Sequence, residues 1–254
     1  MGRGIVVLDA RPRDEFLRGH APGAANLPVD EWDARAAELP PRDATILLHG
    51  GDADALRARG FADVRAAPLD QGEVGPPRVV AWRPARALER CVARLPTEGR
   101  ALDVACGAGR DATWLATRGL TTLGIDILPD ALARARRLAR ASFEGADPAK
   151  SPVHFVCADA TRPLPFHENG FALLCGFRYL DRALFARAGA WLVPGGHILW
   201  QTFSTRTPPD ASPRRPVFRL EPGELEKLCR AAGWIVQEAW QDGVEDGVWA
   251  RKPA

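Results

Sequence analysis

The sequence predicts an α/β protein built on a mostly parallel sheet, and three observations carry that expectation. Short β-branched apolar runs alternate with helical segments along most of the chain, the rhythm of βαβ units. Two of those runs, ATILLHGG (44–51) and LDVACGAG (102–109), lead straight into glycine turns, where a strand hands over to a helix. The chain closes on WIVQEAW (234–240) and GVWARK (247–252), a hairpin that adds antiparallel pairing at one side of the sheet.

Size and composition narrow the class. The 254 residues fit one large domain or two modest ones. A hydrophobic share of 46% with 26% charged residues excludes a disordered chain. No apolar run approaches the ~18–20 residues of a membrane span. The opening MGRGIVVLDARPRDEF turns acidic at Asp9, unlike a signal peptide. A soluble, cytoplasmic protein is expected. The net charge of +2 is too small for a dedicated nucleic-acid binder. It is unevenly shared: residues 1–75 hold 9 basic and 13 acidic side chains, residues 76–254 hold 25 and 19. That asymmetry places a boundary near residue 75. The five cysteines, Cys91, Cys106, Cys157, Cys175 and Cys229, form no CxxC pair. Reduced and mostly buried thiols are expected, with no disulfide framework and no metal site.

The elements follow in order. IVVLD (5–9) reads as a buried strand, and the Gly- and Pro-punctuated stretch to Pro28 as irregular. DEWDARAAEL (30–39) reads as a short helix capped by Asp30, 44–51 as a strand, and DADALRARG (52–60) as a helix stopped by Gly60. Residues 70–78, DQGEVGPPR, carry two glycines and two prolines and mark the linker region. The units are read as 1–75 and 84–254, with 76–83 between them. Beyond it, helices are expected at 84–95 (Pro84 in the first turn), 110–119, 129–141, 181–192 and 221–233. Strands are expected at 100–109 (entering the glycine turn), 121–126, 153–159, 171–177 and 196–203, the last preceded by a Pro-Gly-Gly turn.

The strongest chemical signal is LDVACGAGRD (102–111). Glycines there let the backbone turn tightly and let a ligand approach where a Cβ would collide. Asp126 closes the next strand, 19 residues after Gly107, where a carboxylate can accept from a ribose diol. Asp159 closes the third strand, facing an adenine amino group. NAD is the rival cofactor, but the third glycine of GxGxxG is alanine at position 112.

This set resembles the class I S-adenosylmethionine-dependent methyltransferases, from about residue 84 to the end. The resemblance implies a Rossmann-like sheet whose last strand runs antiparallel. It implies that Asp103, Gly107 and Gly109 form the methionine-side loop, that Asp126 with Ile127 holds the ribose side, and that Asp159 with Ala160 holds the adenine. The strings CGAGRDATWLA, GIDILPDAL, FRYLDRALF and RRPVFRLEPGEL resemble the bacterial tellurite-resistance methyltransferases and, more distantly, the thiopurine methyltransferases. That branch implies a small soft or anionic acceptor, a thiol or chalcogen oxyanion. Such a nucleophile needs no strong base, in keeping with the lack of an obvious catalytic dyad. Arg178, Arg206, Arg214, Arg215 and Arg219 are candidates to attract it. Phe177, Tyr179 and Trp200 are candidates to wall its pocket, with a core role for Trp200 the competing reading. The arginines of 134–140 are read as a solvated helix face. A regulatory protein that binds the cofactor without turnover is the alternative function.

LDARPRDEFLRGHAPGAANLP (8–28) resembles the opening signature of rhodanese-like domains. Arg11, Glu15 and His20 would structure such a domain. Rhodanese chemistry needs a persulfide on a cysteine after the central strand, and here His49 stands near that place; the first cysteine of the chain is Cys91. The expectation is a degenerate, inactive rhodanese-like α/β module packed against the larger domain, and a sulfurtransferase is disfavoured.

Overall fold

A computed structural model of the chain describes residues 5–68, 82–143, 150–211 and 213–254. The chain divides into two compact units, Met1–Arg83 and Pro84–Ala254. The linker read at 70–78, and all but the last two residues of 76–83, lie outside the described residues.

The smaller unit holds β1 (Ile5–Asp9), α1 (Arg13–Arg18), β2 (Ala25–Asn26), β3 (Thr45–His49), α2 (Ala53–Ala58) and β4 (Asp63–Ala66). The strands form one parallel sheet in the order β2-β1-β3-β4. Val6, Leu8, Ile46 and Leu48 pack with Leu56, Phe61 and Trp32 in its core. The helix expected at 30–39 is instead two single 3-10 turns, Val29–Glu31 and Ala36–Glu38, and Asp30 caps neither. The segment has too few apolar residues for a helical stripe. Each turn closes on one buried anchor, Trp32 or Leu39, and the Trp32 indole donates to the Leu27 carbonyl. Helix α1, in the stretch read as irregular, buries only Phe16, too little to show as periodicity.

The larger unit begins with α3 (Arg86–Cys91) and β5 (Arg100–Val104). It continues through α4 (Arg110–Thr117), β6 (Thr121–Asp126), α5 (Pro129–Ser142), β7 (Val153–Cys157) and β8 (Phe171–Phe177). It ends with α6 (Arg182–Ala188), β9 (Leu192–Phe203), α7 (Glu224–Ala231), β10 (Ile235–Asp242) and β11 (Glu245–Arg251). The seven strands run β10-β11-β9-β8-β5-β6-β7. β9, β8, β5, β6 and β7 are parallel, while β11 lies antiparallel between β9 and β10. Alternate residues of one strand feed opposite faces: Leu102 and Val104 join Leu184, Phe185 and Leu225, whereas Ala101 joins Leu88, Cys91 and Leu115. The carboxyl ends of β8 and β5 flank the point where strand order reverses, the crevice where open α/β sheets bind ligands.

Local departures have physical causes. α3 starts after Ala85 rather than at Pro84, because the Asp111 carboxylate takes the Ala85 N–H at 2.6 Å. The Pro-Gly-Gly turn is a bulge inside a longer strand: Phe171 pairs with Leu192 but Leu173 with His197, so residues 193–196 leave the ladder. At Gly176 the Trp200 indole crosses the backbone, and an added Cβ would lie 2.4 Å from it. The same indole donates to the Tyr179 carbonyl at 2.8 Å, fixing the turn after β8. Gly176→Ala is therefore expected to cost about 1–3 kcal/mol by overpacking, seen as a fall of several degrees in the thermal midpoint. An unchanged midpoint would show that the indole can move aside freely.

Candidate active site

The site is built on the rim formed by the ends of β5, β6 and β7. After β5 the backbone enters positive φ at Ala105 (57°), Gly107 (53°) and Gly109 (74°), a conformation that costs an L side chain about 1–2 kcal/mol. An added Cβ at Gly107 meets nothing within 4 Å, so this part of the loop faces open space. At Gly109 a Cβ would lie 2.6 Å from the Ala135 Cβ and 2.7 Å from the Phe155 ring, which is how α4, α5 and β7 come together. The Gly107 N–H donates to Asp126 Oδ2 at 2.8 Å, and the Leu128 N–H to Asp126 Oδ1 at 2.9 Å. Each carboxylate oxygen keeps a lone pair for a further donor. The Ala158 N–H reaches the Asp126 carbonyl at 3.0 Å, bringing the end of β7 alongside.

Asp103 and Asp111 are two further carboxylates that influence each other behind the loop. Asp103 is 2% exposed and accepts from the Ala112 N–H at 3.1 Å, with the Cys175 thiol 3.8 Å from its other oxygen. Burial, then the charge of Asp111, holds the Asp103 carboxyl well above the ordinary range. Burial also raises Asp111, against its Ala85 hydrogen bond and the charges of Arg110 and Arg178. Such a pair suits a nearby cation such as an ammonium group.

The remaining predicted residues fall into two sets. Ile127 is 59% exposed beside Asp126, with Leu128 and Val156 also exposed, giving the rim an apolar lip. Asp159 sits in a tight turn: Oδ1 accepts from the Thr161 N–H and hydroxyl, Oδ2 from Arg162, and these bonds lower its pKa. The Ala160 carbonyl receives Arg187. Arg178 follows β8 at φ 57° with its side chain exposed. Tyr179 is half-buried; burial, with the charges of Asp181 and Asp159, pushes its hydroxyl up to about 12.

Two candidates are corrected, and Trp200 takes the core role weighed for it. Arg206 is tied to the β10–β11 turn by the Gly243 and Glu245 carbonyls and Asp246, so it does not wait for a ligand. Arg219, 8% exposed, donates to the carbonyls of Thr207, Pro208, Ala211 and Pro213 and organises the 204–218 segment from inside. Trp200 is fully buried core. The cysteines are not uniformly buried either: Cys157 is exposed and Cys106 partly so. Among the described residues no His/Cys/Asp/Glu group has the makings of a metal site, and no helix is long and apolar enough to cross a membrane. Sequence reasoning missed Arg110, Asp111 and Glu245; the Arg-Asp pair directly after the glycine turn was the available signal.

The strand order, with its antiparallel insertion, and the glycine turn tied to Asp126 define the larger unit as a Rossmann-like α/β sheet with its ligand crevice at the carboxyl edge. A family model described as a methyltransferase domain matches residues 101–196, and one described as a rhodanese-like domain matches residues 1–72. The chain thus carries a match to a rhodanese-like domain followed by a match to a methyltransferase domain. A solved S-adenosylmethionine-dependent methyltransferase from Mesorhizobium loti covers 65% of this chain and 98% of its own at 20% identity and TM-score 0.52. The solved cyclase SpnF covers 66% of this chain and 79% of its own at 20% identity and TM-score 0.54. These likenesses attest to the fold. The ribosomal RNA small subunit methyltransferase C of Alcanivorax borkumensis is 31% identical over 118 residues, 43% of this chain and 34% of that protein. The chain spans about a third of the length of the curated relatives it matches. With an RNA-modifying enzyme among them, the exclusion of nucleic acid drawn from net charge gains no support.

Buried Asp103 makes a pH prediction. Asp103 binds its proton more tightly folded than unfolded, so it penalises the folded state increasingly as pH rises through the unfolded pKa toward the folded one. Asp103→Asn removes that penalty. Its stability relative to wild type, from thermal melts of the cofactor-free protein, is expected to improve steadily as pH rises above the ordinary carboxylate range; a flat difference would mean that Asp103 is not held protonated.

Proposed function

We propose that the Pro84–Ala254 unit transfers a methyl group from S-adenosylmethionine to a small soft or anionic acceptor, a thiol or chalcogen oxyanion. The observation that carries the reading is the Gly107 loop, open where a Cβ would stand and tied to the Asp126 carboxylate. Space beside a carboxylate with lone pairs to spare fits a ribose. Asp126 would accept from the ribose hydroxyls, the Asp103–Asp111 pair would face the methionine ammonium, and the Ile127 lip with Asp159 and Ala160 would take the adenine. When bound, S-adenosylmethionine supplies an electrophilic sulfonium methyl, transferred as an acceptor lone pair forms the new bond and the old C–S pair stays on the thioether. The protein's task is then to hold the nucleophile in line and exclude water. Arg178 and Tyr179, at the end of β8, border the space on the acceptor side. The likeness to the tellurite-resistance branch supports this acceptor class, and the free cysteines suit a reducing cytoplasm.

S-Adenosylhomocysteine is expected to bind the full chain, and Asp126→Ala to weaken it about 10–100-fold in calorimetry. Turnover on tellurite, selenite or a thiol is expected, with ribosomal RNA as the comparison acceptor. Methylation of RNA alone would replace the small-molecule reading. The same fold is that of a cyclase, SpnF, so a second reading is a protein of this fold that binds the cofactor without methyl transfer; tight binding with no turnover on any acceptor would select it.

For the Met1–Arg83 unit we infer an inactive rhodanese-like module. His49, 6% exposed, ends the central strand, and only Gly50, Gly51 and Asp52 separate it from α2. The Arg11 side chain and Val29 close over those glycines, where an added Cβ would lie 2.5 and 2.9 Å away. An imidazole cannot carry a persulfide. Thiosulfate:cyanide sulfurtransferase assays of the full chain are expected to stay at background; cysteine-dependent turnover there overturns the inference.

A further inference from the structure

Arg178 stands apart from the arginines around it. It is the first residue after β8, held at φ 57° by its own N–H, which donates to the Gln201 carbonyl at 2.8 Å. A residue with a side chain rarely occupies that region unless its surroundings fix it there. The side chain, 70% exposed, is aimed by a chain of hydrogen bonds that starts in the core. The Trp240 indole N–H donates to Gln201 Oε1 at 3.0 Å. Gln201 Nε2 donates to Glu245 Oε2 at 2.6 Å, and Arg178 Nε donates to Glu245 Oε1 at 2.9 Å. Gln201 is 4% exposed and the Glu245 side chain 15%. The Gln201 amide is therefore oriented at both ends, and Glu245 is fixed before Arg178 reaches it.

The pairing uses Nε only. Among the described residues the two Nη nitrogens of Arg178 make no hydrogen bond, whereas Arg182, Arg187, Arg206 and Arg219 give theirs to carbonyls or carboxylates. A guanidinium presented by its Nη edge matches the two oxygens of a carboxylate or chalcogen oxyanion. Arg110 opens α4 beyond β5, the strand next to β8. It is half-buried, and the positive charge of Arg178 adds to burial in lowering its pKa, with Asp111 acting in the opposite sense.

We propose that Arg178 is the specificity-determining residue for an anionic acceptor, gripping its oxyanion or carboxylate through the Nη nitrogens with Arg110 alongside, and that Glu245 on β11 is the residue that positions it. The inference rests on the methyl-transfer reading and narrows its acceptor to one bearing a fixed negative charge.

The test uses the full chain saturated with S-adenosylhomocysteine, titrated with 2-mercaptobenzoate and with benzenethiol, which lacks the carboxylate. Wild type is expected to bind the carboxylate-bearing probe about tenfold more tightly or better. Arg178→Ala is expected to abolish that preference while leaving benzenethiol unchanged, and Arg178→Lys to restore part of it. Glu245→Gln, which keeps a hydrogen-bonding side chain but loses the charge, is expected to reduce the preference without altering S-adenosylhomocysteine affinity. A merely structural Glu245 would move both probes together. Equal binding of the two probes by wild type, or equal losses on both in Arg178→Ala, overturns the proposal. Failure of S-adenosylhomocysteine to bind wild type instead overturns the methyl-transfer reading, so the two failures are separable.

Discussion

The geometry of the larger unit's rim hangs on one carboxylate. Asp126 ends β6, yet its oxygens hold the N–H of Gly107 in the loop after β5 and the N–H of Leu128 at the head of α5. Its carbonyl holds the Ala158 N–H beyond β7, and the neighbouring Ile125 carbonyl takes the Cys106 N–H. Three strand ends are thereby knitted into one edge. The glycine loop is consequently no free loop. Its first glycine is pinned by a charged acceptor, and its second is wedged between Ala135 and Phe155. Hydrogen bonds to an ionised group are worth roughly twice those between neutral partners, so the rim is stiff before any ligand arrives. Preorganisation of this kind reduces what binding must spend on ordering a loop.

Charge in the unit is sorted by depth. Behind the glycine loop, buried Asp103 and half-buried Asp111 are both held toward their neutral forms. The arginines farther along the carboxyl edge serve mainly as internal cross-links. Arg182 joins α6 to Glu224 of α7 and to the carbonyls of Val217 and Arg219, and Arg219 threads its own guanidinium among four carbonyls of the preceding loop. A cation solvated by backbone carbonyls replaces water with fixed dipoles and shapes a Pro-rich segment whose described helical structure is the single 3-10 turn Pro216–Phe218. An arginine-rich composition is here a means of building loops.

That sorting explains what the sequence could and could not reveal. The strands of the larger unit were legible because each is a short apolar run bounded by a turn, and β6 and β8 match their expected limits residue for residue. The glycine loop was legible because glycine spacing and the two aspartates at strand ends are local signals. The arginines were not, since whether a guanidinium meets a carbonyl or solvent depends on contacts that the chain makes only once folded. Arg206 and Arg219 look the same as Arg178 in the sequence and differ entirely in their partners. The bulge in β9 was hidden for a related reason: a Pro-Gly-Gly sequence states that the backbone turns, and pairing with β8 decides whether the strand resumes. Glu245 was invisible because its role comes from a strand inserted antiparallel beside β9.

The smaller unit shows the same separation between scaffold and chemistry. Asp9 is fully buried and accepts from Arg11 at 3.0 and 2.6 Å, while Asn26 donates to the carbonyls of Asp9 and Arg11. These are the residues that make the rhodanese-like signature readable, and they staple β1 to β2 whatever happens elsewhere. The end of β3 has gone the other way. A loop that carries a persulfide must offer free N–H groups to an anion at the start of the next helix. Here Asp52 caps α2 by accepting the Asp54 N–H at 2.8 Å, so the helix's own carboxylate takes the place an anion would occupy. Asp54 adds a second negative charge in the first turn. A helix start satisfied by its own acids caps well and repels sulfur oxyanions.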